Sequence, residues 1–505
     1  MNPLIKLPEP QLMFRHGQCV EDPRDGLTLF GPLEAGRPYG IRYGVIGTKR
    51  GVGYFERWLE RIQTPISCIP AQAKRPPFLG FETVFRTQWE PGSGVRIQLD
   101  EEELCAHLYK DDKWQRVYGV VSTFAERIIG MLQSDYTKVD IWFIVIPDDV
   151  YKYCRPRQYV EPSLRIEAQA KRNPKYAKEN LYTPALWEEE NQAAKPYHYE
   201  VSFHNQLKAR VLDHYQPTQI IRESTISPSA LSGDYSLGQR RVDFPSTVAW
   251  NLSTATFYKV GGRPWKLADI RDGVCYLGLV FKQDDRQGDS KQACCAAQMF
   301  LDSGDGYVFK GAVGPWYNEE RGDYHLKRRA ANELIRLALQ TYADVKGGTA
   351  PKELFIHGQV AFQEDEWMGF KSAVSPHTNL VGVRIRSTSH LKLYSQAEYP
   401  VLRGTAFAID DTSGYLWTRG LVPRLRTYPG MEVPNPLSVT ICRGMADIKT
   451  VMQDIMGLTK LNYNACIFAD GLPVTLRFAD SVGEILTAGP LQQATAPPLP
   501  FKYYI

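Results

Sequence analysis

The sequence predicts a mixed α/β protein made of two domains, and three observations support this. The chain has 505 residues, enough for two or three separate hydrophobic cores. In its first half, short apolar runs alternate with helical patterns, which is typical of a doubly wound sheet. In its second half, three antiparallel strand patterns precede a helix, a strand, a helix and a strand. That order is typical of ribonuclease H-like folds.

The first half contains a nearly continuous apolar run from Val139 to Pro147, and its part from Ile141 to Pro147 is the most apolar run of the chain. Such a run suits a strand of a parallel sheet that is buried on both faces. A helical pattern from Tyr118 to Leu132 precedes it, and a polar, aromatic segment at 148–156 follows it. This segment lies where open α/β sheets place ligands, although it could equally be a surface connection. Its candidate ligand-facing residues are Tyr151, Lys152 and Arg155.

The second half begins with a β-meander and continues with a long amphipathic helix from about Leu326 to Tyr342. We place the boundary between the two domains so that the first covers residues 1–265 and the second covers residues 266–505. The predicted strands are Val274–Phe281, Gln292–Leu301, Tyr307–Phe309, Glu353–His357 and Asn379–Ile385.

Composition excludes several classes of protein. The formal net charge of +4 is compatible with a polyanionic partner but does not require one. The nine cysteines are odd in number and form no CxxC motif, so we expect reduced thiols. The first residues lack the apolar core of a signal peptide, and the longest apolar run is too short to cross a bilayer. We therefore expect a cytoplasmic protein that has no membrane partner.

Four polar residues form a candidate phosphate site. His204 and Lys208 are four apart and share a helix face, Gln219 opens a short strand, and Lys259 precedes Gly261 where a helix ends. These groups could converge on one phosphate, and we expect them to face solvent. The alternative is a solvated helix face together with a lysine that complements a helix dipole.

The order and spacing of these four residues resemble the MID domain of Argonaute proteins. Beyond them, the chain resembles short prokaryotic Argonautes, which consist of MID and PIWI domains. Five segments resemble the Argonaute subunit of SPARTA systems particularly well: Asp22–Leu33, Val139–Pro156, His204–Thr225, Gly273–Lys282 and Leu458–Asp480.

This resemblance implies a Rossmann-like MID domain followed by a ribonuclease H-like PIWI domain. It also implies that His204, Lys208, Gln219 and Lys259 bind the 5′ phosphate of a guide strand. The terminal carboxylate at Ile505, together with Gln219, would bind a Mg²⁺ that touches the same phosphates, since Mg²⁺ prefers oxygen ligands. Tyr151, Lys152 and Arg155 would face the first guide base.

The sequence departs from Argonautes that cleave their target, which need four carboxylates or three carboxylates and a histidine to hold two metal ions. Val280 stands where the first catalytic aspartate is expected, and Gly358 stands at the second position. We expect the neighbouring acids Asp284, Asp285 and Glu364 to Glu366 to be solvated charges. The sequence therefore predicts a chain that is not an enzyme.

The function implied by the resemblance is a guide-RNA-binding subunit that senses single-stranded target DNA in anti-plasmid or antiviral defence. A partner TIR-APAZ protein would form a heterodimer with it, assemble into a higher oligomer on activation, and hydrolyse NAD(P)⁺. A Sir2-like partner is the alternative, because related short Argonautes associate with such proteins. Two other functions stay open: an active nucleic-acid-guided nuclease of the ribonuclease H type, and a phospho-ligand-binding module unrelated to nucleic acid.

Overall fold

The computed structural model describes residues 4–36, 39–68, 76–90, 92–134, 138–232, 245–283, 292–318, 322–428, 430, 432–490 and 498–505. The strands are β1 (Leu4–Lys6), β2 (Leu12–Met13), β3 (Cys19–Val20), β4 (Tyr43–Thr48), β5 (Val95–Leu99), β6 (Ile141–Ile146), β7 (Thr218–Arg222), β8 (Lys266–Leu267), β9 (Val274–Gln283), β10 (Gln292–Leu301), β11 (Gly306–Pro315), β12 (Tyr317–Asn318), β13 (Asp323–Tyr324), β14 (Glu353–Gly358), β15 (Asn379–Ser387), β16 (Thr405–Ala408), β17 (Ser413–Trp417), β18 (Leu437–Arg443) and β19 (Leu499–Pro500).

The helices pack on both faces of the sheets that these strands form. They are α1 (Pro23–Leu29), α2 (Lys49–Arg61), α3 (Phe81–Phe85), α4 (Glu101–Leu108), α5 (Lys113–Leu132), α6 (Asp148–Tyr153), α7 (Pro174–Glu179), α8 (Glu188–Ala194), α9 (Phe203–Leu212), α10 (Pro228–Ser232), α11 (Pro245–Lys259), α12 (Arg328–Val345), α13 (Glu364–Ala373), α14 (Ile448–Leu458), α15 (Val474–Arg477) and α16 (Ala479–Leu486).

A four-stranded parallel sheet organises the first half, in the order β5-β4-β6-β7. Every residue of β4 and β6 is buried, which explains the continuous apolar run that begins near Val139. The α2 side of the sheet and the α5 side each carry their own apolar core. The predicted doubly wound architecture is confirmed, and β7 is left as an edge strand.

A ten-stranded sheet organises the second half, in the order β1-β16-β17-β18-β15-β14-β9-β10-β11-β19. At its centre β9 pairs antiparallel with β10 and parallel with β14, as the predicted ribonuclease H-like order requires. Helices α12 and α13 cover one face, and α14 to α16 cover the other. The first strand, β1, pairs with β16 and so extends this large sheet.

The two halves share a buried junction. Trp265 is fully buried, and its indole Nε1 donates a hydrogen bond to the carbonyl of Lys460 at 3.0 Å. Glu9, from the segment after β1, accepts hydrogen bonds from Arg403 at 3.1 Å and from Lys460 at 2.8 Å. Since both cations are buried, this one carboxylate neutralises charge that water cannot reach.

Two sequence expectations concern the chain as a whole. In the described ranges, no helix combines the length and the apolar character needed to cross a membrane. The cysteines whose thiols are described are free.

Candidate phosphate-binding site

Helix α9 places the first two candidate residues. Ser202 accepts a hydrogen bond from the main-chain N–H of Asn205 and so caps the helix. The apolar residues Phe203, Leu207 and Val211 pack the helix into the core of the first half. Lys208 is carried inward by this packing and is 3% exposed.

The open edge of β7 supplies the acceptor on which the site is built. The carbonyl of Pro217 accepts a hydrogen bond from Trp142 on β6, so the next carbonyl, that of Thr218, points away from β6. Lys208 Nζ donates to this Thr218 oxygen at 3.3 Å, and Lys259 Nζ donates to it at 3.0 Å. Two lysines from different helices therefore meet at one main-chain oxygen. The sequence assigned no role to this carbonyl, because its direction depends on which edge of β7 is paired.

Helix α11 ends at Lys259, as the sequence predicted. Gly261 follows with φ +97°, a left-handed conformation that glycine adopts without strain. Lys259 is 1% exposed and donates to Gln219 Oε1 at 2.7 Å. The amide of Gln219 also donates to the carbonyl of Ile220 at 3.2 Å, so the side chain lies along the edge of β7.

The last residues of the sequence complete the cluster. Phe501 is fully buried and makes edge-on ring contacts with Phe300 and Phe478. This anchor brings a main-chain oxygen of Ile505 within 2.5 Å of Lys208 Nζ. The structure thus brings together Lys208, Gln219, Lys259 and Ile505 around the Thr218 carbonyl.

Burial of the two lysines corrects the expectation that they face solvent. Loss of water around the ammonium group lowers the pKa of Lys208 to about 7. The same cause, together with repulsion from Lys208, lowers the pKa of Lys259 well below its usual value. The hydrogen-bond acceptors that surround them are carbonyl and amide oxygens plus the Ile505 oxygen, and an anion placed there would raise both pKa values.

His204 lies in the wall of a cavity of about 540 Å³, close enough to Lys208 and Lys259 for their charges to act on it. The His204 side chain is exposed, but the concave cavity wall that surrounds it excludes much of the water that would otherwise hydrate the ring. This desolvation lowers the pKa of His204 to about 4, and Lys208 adds to the effect. The imidazole is therefore neutral at pH 7, so one ring nitrogen donates a hydrogen bond and the other accepts one. Its Nδ1 lies 3.0 Å from Asn205 Oδ1.

The same cavity collects two of the three aromatic and basic candidates from α6 and the turn after it. Tyr151 and Arg155 line it together with Arg222 from β7 and Glu484 from α16. The guanidinium groups of Arg155 and Arg222 lie 4.8 and 4.5 Å from the centre of the Tyr151 ring. Such cation–π contacts hold the ring in place. Glu484 could not be predicted as part of this cavity, because it comes from the other half of the chain.

Lys152 is placed elsewhere. Its ammonium group donates to Glu161 at 2.7 Å, and its side chain is half exposed. It does not line the cavity that holds Tyr151 and Arg155.

Val280 and Gly358, where the sequence comparison expects catalytic aspartates in cleaving Argonautes, are closely packed. Val280 is buried in β9, and a Cβ atom on Gly483 of α16 would lie 3.2 Å from its methyl carbon. At Gly358, an added Cβ atom would lie 3.1 Å from the ring of Phe362. His357 beside it is buried, its Nδ1 lies 2.9 Å from Thr475 Oγ1, and burial lowers its pKa to about 3. Within the described residues, no three His, Cys, Asp or Glu side chains are grouped so that they could hold a metal ion.

Among the acidic residues Glu364 to Glu366, which we expected to be solvated, Glu366 is buried. Glu366 is 1% exposed, accepts a hydrogen bond from the N–H of Leu326 at 3.1 Å, and lies 3.1 Å from His325 Nδ1. It is a structural carboxylate that joins α13 to the segment before α12. Asp284 and Asp285 lie outside the described residues.

Solved structures of Argonaute and Piwi proteins align with nearly the whole chain. Clostridium butyricum Argonaute bound to a guide DNA and a 19-mer target DNA aligns with 99% of it, at 14% identity and a TM-score of 0.64. Drosophila Piwi aligns with 99% at 12% identity and a TM-score of 0.57. Aquifex aeolicus Argonaute aligns with 99% at 14% identity and a TM-score of 0.52.

The chain spans about half the length of these structures, which it covers to 54%, 56% and 57%. No protein-family model matches the sequence, and no curated protein matches it either. The predicted fold class is nevertheless confirmed by the two sheets and by these alignments. The chain has the fold shared by Argonaute and Piwi proteins, in which a Rossmann-like domain is followed by a ribonuclease H-like domain.

Proposed function

We propose that this chain is a short Argonaute that binds a guide strand by its 5′ phosphate and uses the guide to recognise a target. The observation that carries the proposal is the convergence of Lys208 and Lys259 on the Thr218 carbonyl, beside Gln219 and Ile505. In the part of the chain that the structure describes, no carboxylate side chain pairs with these two buried ammonium groups, so they suit an anionic ligand. The Clostridium butyricum relative holds a guide and a target DNA, which supports the same class of ligand here.

The donors that remain on the two lysines fit one phosphate group. An ammonium group has three N–H donors. Lys208 uses two of them, on Thr218 and Ile505, and Lys259 uses two, on Thr218 and Gln219. Each lysine therefore keeps one donor for a phosphate oxygen. His204 would supply another through Nε2 if the phosphate raised its pKa enough to protonate the imidazole, because the Nδ1 proton is already directed at Asn205. The negative phosphate would raise the pKa of both lysines and keep them charged.

The oxygen atoms of Ile505 and Gln219 are suitable ligands for Mg²⁺, which prefers hard oxygen donors. Both atoms already accept hydrogen bonds from the lysines, so both point into the cluster. Since they are only two, phosphate oxygens and water would complete the coordination. Such an ion would reduce the repulsion between the guide phosphates and the oxygen atoms of Ile505 and Gln219.

We propose that the cavity beside this cluster takes the first nucleotide of the guide. Tyr151 offers an aromatic face for a base, and Arg155 and Arg222 offer guanidinium planes and positive charge. Lys152 is left out of this group, because it is paired with Glu161 outside the cavity.

We further propose that the PIWI domain of this chain binds the guide–target duplex without cutting it. Val280 and Gly358 offer no carboxylate, and the space beside each is filled by packed groups. Any catalytic activity of the complex would then belong to a partner protein. The resemblance to SPARTA subunits suggests a cytoplasmic TIR-APAZ protein that hydrolyses NAD(P)⁺ when an RNA guide pairs with single-stranded DNA.

The phosphate site is tested with RNA oligonucleotides that carry either a 5′ phosphate or a 5′ hydroxyl. Lys208→Met keeps the volume of the side chain and removes its charge. We expect it to weaken binding of the 5′-phosphorylated RNA by about 10- to 100-fold, because a charge-assisted hydrogen bond contributes about 1.5–3 kcal/mol. Binding of the 5′-hydroxyl RNA should change little.

Lys152→Met is the matched control, since it removes a lysine that lies outside the cavity. Fluorescence anisotropy gives both affinities for each variant. Equal affinity of the wild-type chain for the two RNAs would refute the phosphate site, and failure to bind either RNA would favour a phospho-ligand-binding module unrelated to nucleic acid. Separately, target cleavage opposite the guide with Mg²⁺ or Mn²⁺ present would show an active nuclease and overturn the proposal that the duplex is not cut.

A further inference from the structure

Helix α6 and the turn that follows it, at 154–157, form one wall of the cavity that holds Tyr151 and Arg155. The helix has only six residues, and a helix of that length has little stability of its own. Its side chains Val150 and Tyr153 are buried in the core of the first half. Their burial fixes the inner face of the helix, but the carbonyl groups at its end lack partners within the helix. The direction of the turn therefore depends on what binds these carbonyls.

One buried side chain binds the main chain on both sides of this turn. Arg116 lies in the first turn of α5 and is 1% exposed. Its Nε donates to the carbonyl of Tyr153 at 3.1 Å, and its Nη2 donates to the carbonyl of Gln158 at 3.1 Å. Its Nη1 donates at 2.6 Å to the carbonyl of Lys110, which lies between α4 and α5. The guanidinium group therefore joins the last residue of α6 and the residue after the turn to the body of the domain.

These hydrogen bonds are made by a charge that has been removed from water. Burial lowers the pKa of the Arg116 guanidinium, although an arginine stays charged in a protein. Within the described part of the chain, Arg116 forms no ion pair with a carboxylate. A buried charge costs folding free energy unless hydrogen bonds replace the lost water, and here main-chain carbonyls do so. The interaction therefore fixes the path of the backbone and does not neutralise an opposite charge.

A second side chain holds the other end of α6. The hydroxyl group of Tyr109, next to Lys110, donates to Asp149 Oδ2 at 2.9 Å. Asp149 lies in the first turn of α6, close in sequence to Tyr151. The Tyr109 ring also makes an edge-on contact with the ring of Tyr153, with 6.0 Å between the ring centres. Both ends of α6 are thus attached to the start of α5 and to the connection that precedes it.

We propose that Arg116 and Tyr109 are positioning residues for the first nucleotide of the guide. This inference rests on the proposed function, which assigns Tyr151 and Arg155 to that nucleotide. Neither Arg116 nor Tyr109 lines the cavity, so each acts through the main chain of α6 and its turn. A planar guanidinium group offers fixed donors to several carbonyls at once, whereas a lysine ammonium group is a point charge on a flexible stem. Arg116→Lys therefore keeps the charge but releases part of the turn.

The test uses a 5′-phosphorylated RNA whose first base is 5-iodouracil, which crosslinks under ultraviolet light to an aromatic ring stacked on it. Mass spectrometry identifies the crosslinked residue, which we expect to be Tyr151 in the wild-type chain. The crosslink yield is divided by the amount of RNA bound, so that a loss of affinity or of folded protein does not alter it. Arg116→Lys and Tyr109→Phe should each lower this yield by at least about threefold, because the ring loses the hydrogen bonds that hold its helix in place.

Arg127→Lys is the matched control, because Arg127 also lies on α5 but donates to Glu103 and to the carbonyl of Thr123, away from α6. It should leave the yield per bound RNA unchanged, and an equal loss in this variant would overturn the inference.

A yield at the wild-type level in Arg116→Lys or in Tyr109→Phe overturns the inference as well. If Arg116→Lys does not fold, Tyr109→Phe decides the matter alone, since it removes only one hydroxyl group. The proposed nucleotide cavity is tested by the wild-type chain. If that chain binds the RNA but crosslinks at a residue other than Tyr151, the cavity assignment fails, and this inference fails with it.

Discussion

Replacing Lys208 with methionine should stabilise the folded chain at pH 7, although it removes a ligand-binding residue. The pKa of Lys208 is about 7 in the folded chain, against an ordinary value of 10.5. At pH 7 this difference costs about 4 kcal/mol of folding free energy, because each pKa unit corresponds to about 1.4 kcal/mol and about three units apply. Methionine avoids this cost but loses two hydrogen bonds, worth about 1 kcal/mol each. The net gain at pH 7 is therefore about 2 kcal/mol.

The sign of the pH dependence follows from proton binding. Between pH 7 and 10.5 the unfolded chain holds the Lys208 proton more tightly than the folded chain, so wild-type stability rises with pH. By pH 9.5 the cost of burying the lysine has fallen by about 3 kcal/mol. The advantage of the methionine variant should then disappear. Other titrating groups cancel when only the difference between wild type and variant is considered.

Urea unfolding, followed by tryptophan fluorescence at pH 7 and pH 9.5, measures this difference. Lys152→Met is the control, since its lysine is half exposed and should show no such change. If the difference between wild type and Lys208→Met is the same at both pH values, then Lys208 does not titrate in a buried site. That result would refute the electrostatic description of the cluster.

Two further predictions concern the cavity and the junction. Tyr151→Ala should weaken binding of guide RNA by about 1–3 kcal/mol, the usual loss of one stacked base, and by the same factor for 5′-phosphate and 5′-hydroxyl ends in anisotropy measurements. Glu9→Gln should lower the free energy of unfolding by about 3–5 kcal/mol, because it leaves Arg403 and Lys460 buried without a carboxylate. Urea unfolding checks this against the exposed control Glu102→Gln, and an equal stability of the two variants would contradict it.

Local patterns in the sequence were sufficient to predict the main elements. The run that begins at Val139 and the run that begins at Val274 are buried strands, since apolar side chains on both faces can only be satisfied inside a layered sheet. The end of α11 at Lys259 was also predictable, because Gly261 adopts a conformation that other residues avoid. Helix α1 was missed, although Asp22 followed by Pro23 is a typical helix start.

The candidate phosphate site shows what sequence order cannot provide. The residues of the cluster were named from the sequence, but their burial was not, because the atoms that cover Lys208 come from Ile505 at the other end of the chain. The Thr218 carbonyl is an acceptor only because β7 is an edge strand, and sheet order is a property of the whole domain. Glu366 was expected in water for the same reason, since its partners Leu326 and His325 are about forty positions away.

By itself, then, the sequence determined the fold class, the strand and helix pattern, and the side chains that could meet a phosphate. The tertiary structure alone decided their environment. It removed water from Lys208 and Lys259, placed His204 in the cavity wall, paired Lys152 with Glu161, and brought both Arg155 and Arg222 against the Tyr151 ring. The physical reason is that hydration and charge–charge distances depend on every chain segment that packs around a group, whereas helix and strand patterns depend mainly on neighbouring residues.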